Sequence, residues 1–292
     1  MDFLIITNPM KNGAMEFTLQ IAEYLFKLGQ RVKITPNSAC GFLKDMPDIE
    51  IMDSESGDRP DSVIIIGGDG TVLRNVDLLK KLNAPVLGIN FGHLGYLTAC
   101  EPSEAKSSID KIIIGSCGVE ERILLDGEIK RENGESSFFG GLNEAVIYRG
   151  ALSRALHFEL DINGNNIASF SADGILIATP AGSTAYNLSA GGPILMPTAD
   201  NLVITPICAS AVPKSSIVVS GTDNICIHMY KPEFFDEESL DFPMLVVDGR
   251  EKYAITDNER IYVKKSKDVL RLYNVQNDSF FRTLQKKMMR TI

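Results

Sequence analysis

Residues 67–70 read Gly-Gly-Asp-Gly, within SVIIIGGDGTVLRN, so one carboxylate stands among three glycines directly after an apolar, β-branched run. Glycines at the end of a buried strand let a phosphate or sugar approach the backbone closely and permit unusual φ/ψ. A helix that follows adds unpaired N–H groups. That accounts for Gly67, Gly68 and Gly70 but not for Asp69. A carboxylate repels phosphate, so it is a poor choice for merely holding one. It suits taking a proton from a hydroxyl, or bridging a metal, and the turn therefore suggests a hydroxyl activated beside a phosphate donor. The competing reading is a turn aspartate that bonds its own backbone or caps the helix. A motif this short does not decide between them.

A second stretch, SADGILIATPAGSTAYNLSAGGPIL (171–195), is dense in small and polar residues. Asp173-Gly174 precedes a strand, and Ala181 to Tyr186 would set hydroxyls and small side chains around a bare turn. Such a surface suits a planar polar ring that needs close approach and a few directed hydrogen bonds. The plain alternative is a Gly/Ser-rich loop without a ligand. Neither G-x-x-x-x-G-K-[ST] nor a G-x-G-x-x-G after a strand occurs, so P-loop and ordinary dinucleotide-binding Rossmann readings are unsupported.

The elements that must position these residues follow from periodicity. FLIIT (3–7), VKIT (32–35), SVIIIGG (62–68) and APVLGIN (84–90) read as strands, and the last two are continuous apolar runs suited to a parallel sheet buried on both faces. MEFTLQIAEYLFKLG (15–29) has Phe17, Ile21, Leu25 and Leu28 at helical spacing with Gly29 as its C-terminal stop. TVLRNVDLLKKL (71–82) predicts one helix with Thr71 as N-cap, and PSEAKSSIDKIIIG (102–115) another, with Pro102 near its start and Gly115 past its end. This alternation implies a doubly wound α/β domain. Residues 37–60, rich in turn formers and acids, read as an irregular surface excursion. From about residue 118 short strands alternate with turn signals, including the hairpin signal Asn163-Gly164, which implies an antiparallel β domain. DSFFRTLQKKMMRTI (278–292) reads as a terminal helix whose cations suit its C-terminal end.

The chain has 292 residues and a net charge of −9, which argues against a nucleic-acid or anionic-membrane surface but not against small anionic ligands. No apolar stretch approaches the roughly 18 residues of a spanning helix. The N-terminus, MDFLIITNPMKNG, is a poor signal peptide and a plausible first strand, so the expectation is a cytoplasmic protein. The five cysteines (Cys40, Cys100, Cys117, Cys208, Cys226) form no C-x-x-C pair and read as free thiols. His157 and His228 fall in strand patterns and read as packed or exposed residues, while His93 sits in a glycine-rich loop. Arg74, on the first turn after Asp69, reads either as a phosphate contact or as half of a surface ion pair.

Taken together, these blocks resemble NAD kinases, the family that uses ATP or inorganic polyphosphate as donor. NFGHLGYLT (90–98) is similar to the family's N-x-G-x-L-G-F-L-T, LNEAV (142–146) to its Asn-Glu motif, residues 172–195 to its T-P-T-G-S-T-A-Y signature, and VDGR (247–250) to a late Asp-Gly motif. The matches cover both halves of the chain. The long block is highly specific, whereas GGDGT (67–71) is shared with diacylglycerol and sphingosine-type lipid kinases.

The resemblance implies an NAD kinase/diacylglycerol kinase-like architecture. An N-terminal doubly wound α/β domain would span 1–117, with residues 265–292 returning to it, and a C-terminal antiparallel β domain would span 118–264. It implies phosphorylation of the 2′-hydroxyl of the adenosine ribose of NAD, with Mg²⁺ or another divalent cation bridging the donor phosphates. It makes Asp69 the general base or orienting group, with Gly67, Gly68 and Gly70 leaving room for phosphates and Tyr96 packing near the adenosine. Asn143 and Glu144 would bind the ribose and diphosphate part of NAD, and Asp173 an amino or amide edge of a ring. Thr184, Ala185, Tyr186 and Ser189 would line the ring pockets. Ala181 and Ser210, also placed in the binding site by position, depart from the family pattern. Ala181 stands for its Thr or Ser, Ser210 for its His, and Ser215 for its Arg. The resemblance further implies a homodimer or homotetramer, with NAD and ATP as partners and neither nucleic acid nor membrane among them. A lipid kinase sharing GGDGT should lack the Asn-Glu and S-T-A-Y blocks, which are present here. An NAD(P) sensor without turnover would have little use for Asp69.

Overall fold

The computed structural model describes residues 1–38, 49–52, 59–92, 95–98, 100, 101–150, 155–210, 215–230, 242–256, 259–275 and 279–289. Cys40, His93 and most of the excursion at 37–60 lie outside the described residues. The chain divides into two compact units, one of residues 1–121 and 270–292, the other of residues 122–269.

The first unit runs β1 (Asp2–Thr7), α1 (Ala14–Lys27), β2 (Arg31–Ile34), β3 (Glu50–Ile51), β4 (Ser62–Gly67), α2 (Asp69–Arg74), α3 (Val76–Leu82), β5 (Val86–Asn90) and α4 (Ala105–Ile113). A crossing strand follows, β6 (Gly118–Lys130), and the second unit continues with β7 (Ser136–Gly141), β8 (Glu144–Tyr148), β9 (Leu156–Ile162), β10 (Asn165–Ala172) and β11 (Gly174–Ala178). Next come α5 (Tyr186–Ser189), β12 (Asn201–Ile207), β13 (Ile217–Ser220), β14 (Ile225–Tyr230), β15 (Met244–Val247) and β16 (Glu251–Ala254). The long β17 (Arg260–Asn274) and the helix α6 (Ser279–Met289) end the chain.

In the first unit the parallel strands lie in the order β3-β2-β1-β4-β5, with Leu272 of β17 beside Val86. β4 is buried along its whole length, as its unbroken apolar sequence requires. α1 buries Ala14, Thr18, Ile21, Ala22 and Leu25, one helical stripe, against the same core. The strand order reverses between β1 and β4, which is where open α/β sheets place their ligands, outside the carboxyl ends of the strands. Gly29 and Gly115 both have left-handed φ just past α1 and α4, as their sequence positions imply.

The second unit contains two antiparallel sheets. One has the order β13-β12-β11-β8-β15-β16, and the other pairs β10, β9, β14 and β17, with β6 pairing both β17 and β7. Ile147, Ile175, Ile177 and Leu245 from the first share one buried cluster with Phe158, Phe170, Ile227 and Ile261 from the second. Asn163 and Gly164 both have positive φ and join β9 to β10, the two-residue hairpin that the Asn-Gly pair signals.

Three elements differ from their sequence patterns. The single helix expected over 71–82 is two, because Asn75 bonds the Thr71 carbonyl with its own side chain at 2.8 Å and interrupts the ladder. Thr71 is the third residue of α2 and not its cap. Gly68 takes the cap position in extended conformation, with its N–H 3.4 Å from the Thr71 hydroxyl. A short strand, β3, lies inside the expected excursion and pairs with β2.

Candidate functional site

Asp69 opens α2 directly after the buried strand β4. Its carboxylate does not bond its own turn. Oδ2 accepts the N–H of Tyr96 at 2.7 Å. Oδ1 accepts the N–H groups of Leu97 (3.1 Å) and Thr98 (3.0 Å) and the Thr98 hydroxyl (2.8 Å). A carboxylate offers about four lone-pair sites, two on each oxygen, so among the described residues Oδ1 is fully subscribed while Oδ2 keeps one open. Gly95 lets this happen, because a β-carbon there would overlap the Asp69 carboxylate. Gly67 is likewise forced, by the side chain of Thr71. Gly68 and Gly70 are not crowded by protein atoms and do not have left-handed φ. Among the described residues, nothing requires a bare backbone at either position.

Beside this turn, at the reversal point of the sheet, lies a cavity of about 400 Å³. Thr7 at the end of β1 and Asn8 after it, Thr35 after β2, and Thr71, Arg74 and Asn75 around α2 line it. Arg74 is exposed, with one guanidinium nitrogen 3.3 Å from the Thr71 hydroxyl. Burial, and then the nearby Asp69 carboxylate, push the Tyr96 phenol above its ordinary range.

In the second unit the FFGGLNEAVIY pattern breaks into β7 and β8 at Leu142-Asn143. The cause is Asp248, a left-handed residue whose buried carboxylate accepts the N–H groups of Leu142 (2.8 Å), Asn143 (2.8 Å) and Glu144 (3.1 Å). Arg250 approaches the same carboxylate at 3.6 Å. Glu144 is buried, and its Oε2 has no hydrogen-bond partner among the described residues. Burial first, then the Asp248 charge, raises its pKa to about 7, against the opposing pull of the Tyr186 N–H. Asp248 is raised too, by burial, with its three N–H donors and Arg250 opposing.

The long motif wraps this pair. The Thr179 N–H bonds the Asn143 carbonyl at 2.9 Å, and Gly182 packs so closely on that carbonyl that a β-carbon would overlap it. A 3-10 turn over Gly182–Thr184 leads into the short helix α5, with the Thr184 hydroxyl on the Ala181 carbonyl at 3.2 Å. Asn187, fully buried, accepts from the Thr205 hydroxyl at 2.7 Å and donates to the Pro193 carbonyl at 3.0 Å, which ties the loop down. Tyr186 and Ser189 are left exposed. The second unit therefore gathers Asn143, Glu144, Ala181, Thr184, Ala185, Tyr186 and Ser189 around one end of β11.

Asp173 and Ser210 are not part of that group. They lie at the opposite end of β11, where the Asp173 N–H bonds the Ile207 carbonyl at 3.0 Å and the Ser210 N–H bonds the Ser171 carbonyl at 2.9 Å. The Asp173 side chain pairs with Arg149 at 2.9 Å, so this acid arrives with a cation attached. Arg149, Thr98 and the role of Asp248 escaped the sequence reading. Only the VDGR block signalled the last. Ser215 is exposed, and residues 211–214 of its loop lie outside the described residues. His157 bonds the Ser169 and Ser171 hydroxyls, and His228 is packed against Tyr230. Among the described residues, no three His, Cys, Asp or Glu side chains converge to hold a metal ion.

Comparison with known proteins covers both units. The ATP-NAD kinase N-terminal domain matches residues 3–117 and the ATP-NAD kinase C-terminal domain residues 142–275. The NAD kinase of Thermoanaerobacter sp. (strain X514) is 40% identical over 284 residues, and that of Caldanaerobacter subterraneus subsp. tengcongensis 36% over 286, each match covering 97% of both chains. Among solved structures, yeast NADH kinase complexed with NADH superposes with a TM-score of 0.86 at 22% identity, covering 98% of this chain and 86% of that one. An NAD kinase from Archaeoglobus fulgidus in complex with ATP gives 0.74 at 23% identity, covering all of both chains.

Proposed function

The chain belongs to the NAD kinase family and is a kinase that phosphorylates NAD, and we propose that the group it phosphorylates is the 2′-hydroxyl of the adenosine ribose, with ATP or inorganic polyphosphate as donor and NADP as product. The observation that carries this reading is the carboxylate of Asp69, braced by four donors, three on Oδ1 and one on Oδ2, and among the described residues open at one position of Oδ2. A ribose hydroxyl donating to that position has its oxygen oriented for attack. As the new O–P bond forms and the bond to the leaving phosphate breaks, the hydroxyl proton passes to Oδ2. Proton transfer of this kind contributes typically 10²–10⁴-fold.

The bare faces of Gly68 and Gly70 leave space for phosphate oxygens, and the cavity lined by Asn8, Thr35 and Arg74 is of a size to take a nucleotide fragment. Glu144 would accept a ribose hydroxyl on its orphaned Oε2, with Asn143 beside it and the 181–189 turn against the base. A divalent cation carried in by the donor would reduce the charge of its phosphates. A homodimer or homotetramer belongs to the same proposal, because Asp173 and Ser210 stand apart from Asn143 within one chain; light scattering reads it directly.

The test is NADP formation from NAD, ATP and Mg²⁺, run beside Asp69→Asn. Loss of at least about a hundredfold in kcat, with NAD binding retained, is the expected result. Turnover unaffected by the substitution would overturn the role given to Asp69.

A further inference from the structure

The loop that braces Asp69 is itself held, and its holder is the last helix of the chain. The Tyr96 ring packs against Phe280 with centroids 5.9 Å apart, and the Lys287 ammonium stands 4.1 Å from the Tyr96 ring centroid. Phe280, Thr283 and Lys287 are spaced i, i+3 and i+7 on α6, so they share one face. Thr283 on that face is buried, while Phe281, Met288 and Met289 are exposed. One residue along, Lys286 reaches Glu101 at 3.9 Å, just beyond the same loop. The high phenol pKa keeps the Tyr96 ring neutral, so Lys287 meets a π-face and not a phenolate.

We propose that Phe280 and Lys287 are positioning residues for phosphoryl transfer, acting through the Tyr96 ring to fix the amide that occupies Asp69 Oδ2. The inference rests on the role given above to Asp69. Tyr96 is the residue whose N–H bonds Oδ2, the oxygen left open toward an acceptor. A ring free to swing would let that amide drift, and small displacements in an oriented reaction are costly in rate. The terminal helix thereby sets which lone pair the carboxylate presents.

The experiment measures kcat, KM for NAD and KM for ATP of the full chain bearing Phe280→Ala, Lys287→Gln or Lys287→Arg, with Asp69→Asn as reference and thermal melts of each. Lys287 is exposed, so its replacement is expected to leave the melting temperature close to wild type. Lys287→Gln is expected to lower kcat about three- to tenfold with both KM values within about twofold, and Lys287→Arg to restore it, since a guanidinium keeps the cation on the ring. Phe280→Ala is expected to cost more, again in kcat. If Asp69→Asn abolishes turnover while Phe280→Ala and Lys287→Gln keep wild-type kcat, the clamp is overturned and the kinase mechanism stands. If Asp69→Asn retains turnover, the mechanism falls first. A kcat loss that tracks a lowered melting temperature and is not restored by Lys287→Arg shows a merely structural helix and also overturns the proposal.

Discussion

Each unit of this chain uses one aspartate to gather backbone N–H groups, and the two are finished differently. Asp69 collects Tyr96, Leu97 and Thr98, and Asp248 collects Leu142, Asn143 and Glu144. Asp248 is sealed. Its side chain is 0% exposed, Arg250 faces it, and all three of its N–H partners lie on the segment it shapes. Asp69 is half-buried and stays open on one oxygen. On the role proposed for Asp69, the same device serves placement in one unit and chemistry in the other, and what separates them among the described residues is a single unfilled acceptor position.

The comparison breaks most sharply if the two acids respond alike to substitution. Asp69→Asn should remove at least about a hundredfold of kcat while the melting temperature moves little. Asp248→Ala should do the reverse. Three N–H groups and Arg250 would lose a buried partner, at a cost of about 3 kcal/mol, or roughly 10 °C in melting temperature by calorimetry.

A subtler difference concerns pH. Glu144 lies against Asp248, and its pKa of about 7 stands above the ordinary 4.5. A carboxyl with a raised folded pKa holds its proton better folded than unfolded, so its favourable contribution is complete below about 4.5 and is lost as pH climbs to about 7. Glu144→Gln should therefore flatten the melting-temperature profile between those limits and melt higher than the parent at pH 8, with no advantage at pH 4.5. A profile unchanged by the substitution would place the titration elsewhere. The smallest effect belongs to Arg149→Ala. That pair with Asp173 is about a third exposed, so stability should fall by less than about 1 kcal/mol in denaturant titration, which calibrates how little an open acid pair contributes beside a closed one.

Local sequence carried much of this. Unbroken apolar runs marked the parallel strands, and Asn163-Gly164 marked its hairpin, because those signals act over a few residues. Asp69 was legible as the odd side chain in its turn. Its partners were not, since they stand 27 to 29 residues away and contribute mainly backbone, which carries no side-chain signature. Asp248 was visible only as a motif for the same reason, its partners being more than 100 residues distant. The break at Asn75 was missed because helix periodicity continues through it, and only the side-chain bond to Thr71 stops the ladder. Arg149 looked like any surface cation until the pairing of β8 with β11 brought it to Asp173.

The first unit is discontinuous, since residues 122–269 intervene between its main body and Leu270 onward. Its sheet lacks the β17 contribution, and the loop around Asp69 lacks α6, until residues 270–289 have been made. Domains generally fold as they are synthesised, N-terminal first, at about 5–20 residues per second. Here that order leaves the earliest-begun unit waiting on residues made after the whole of the second, so a nascent chain that has passed residue 121 but not reached α6 carries Asp69 without the helix that packs on its loop.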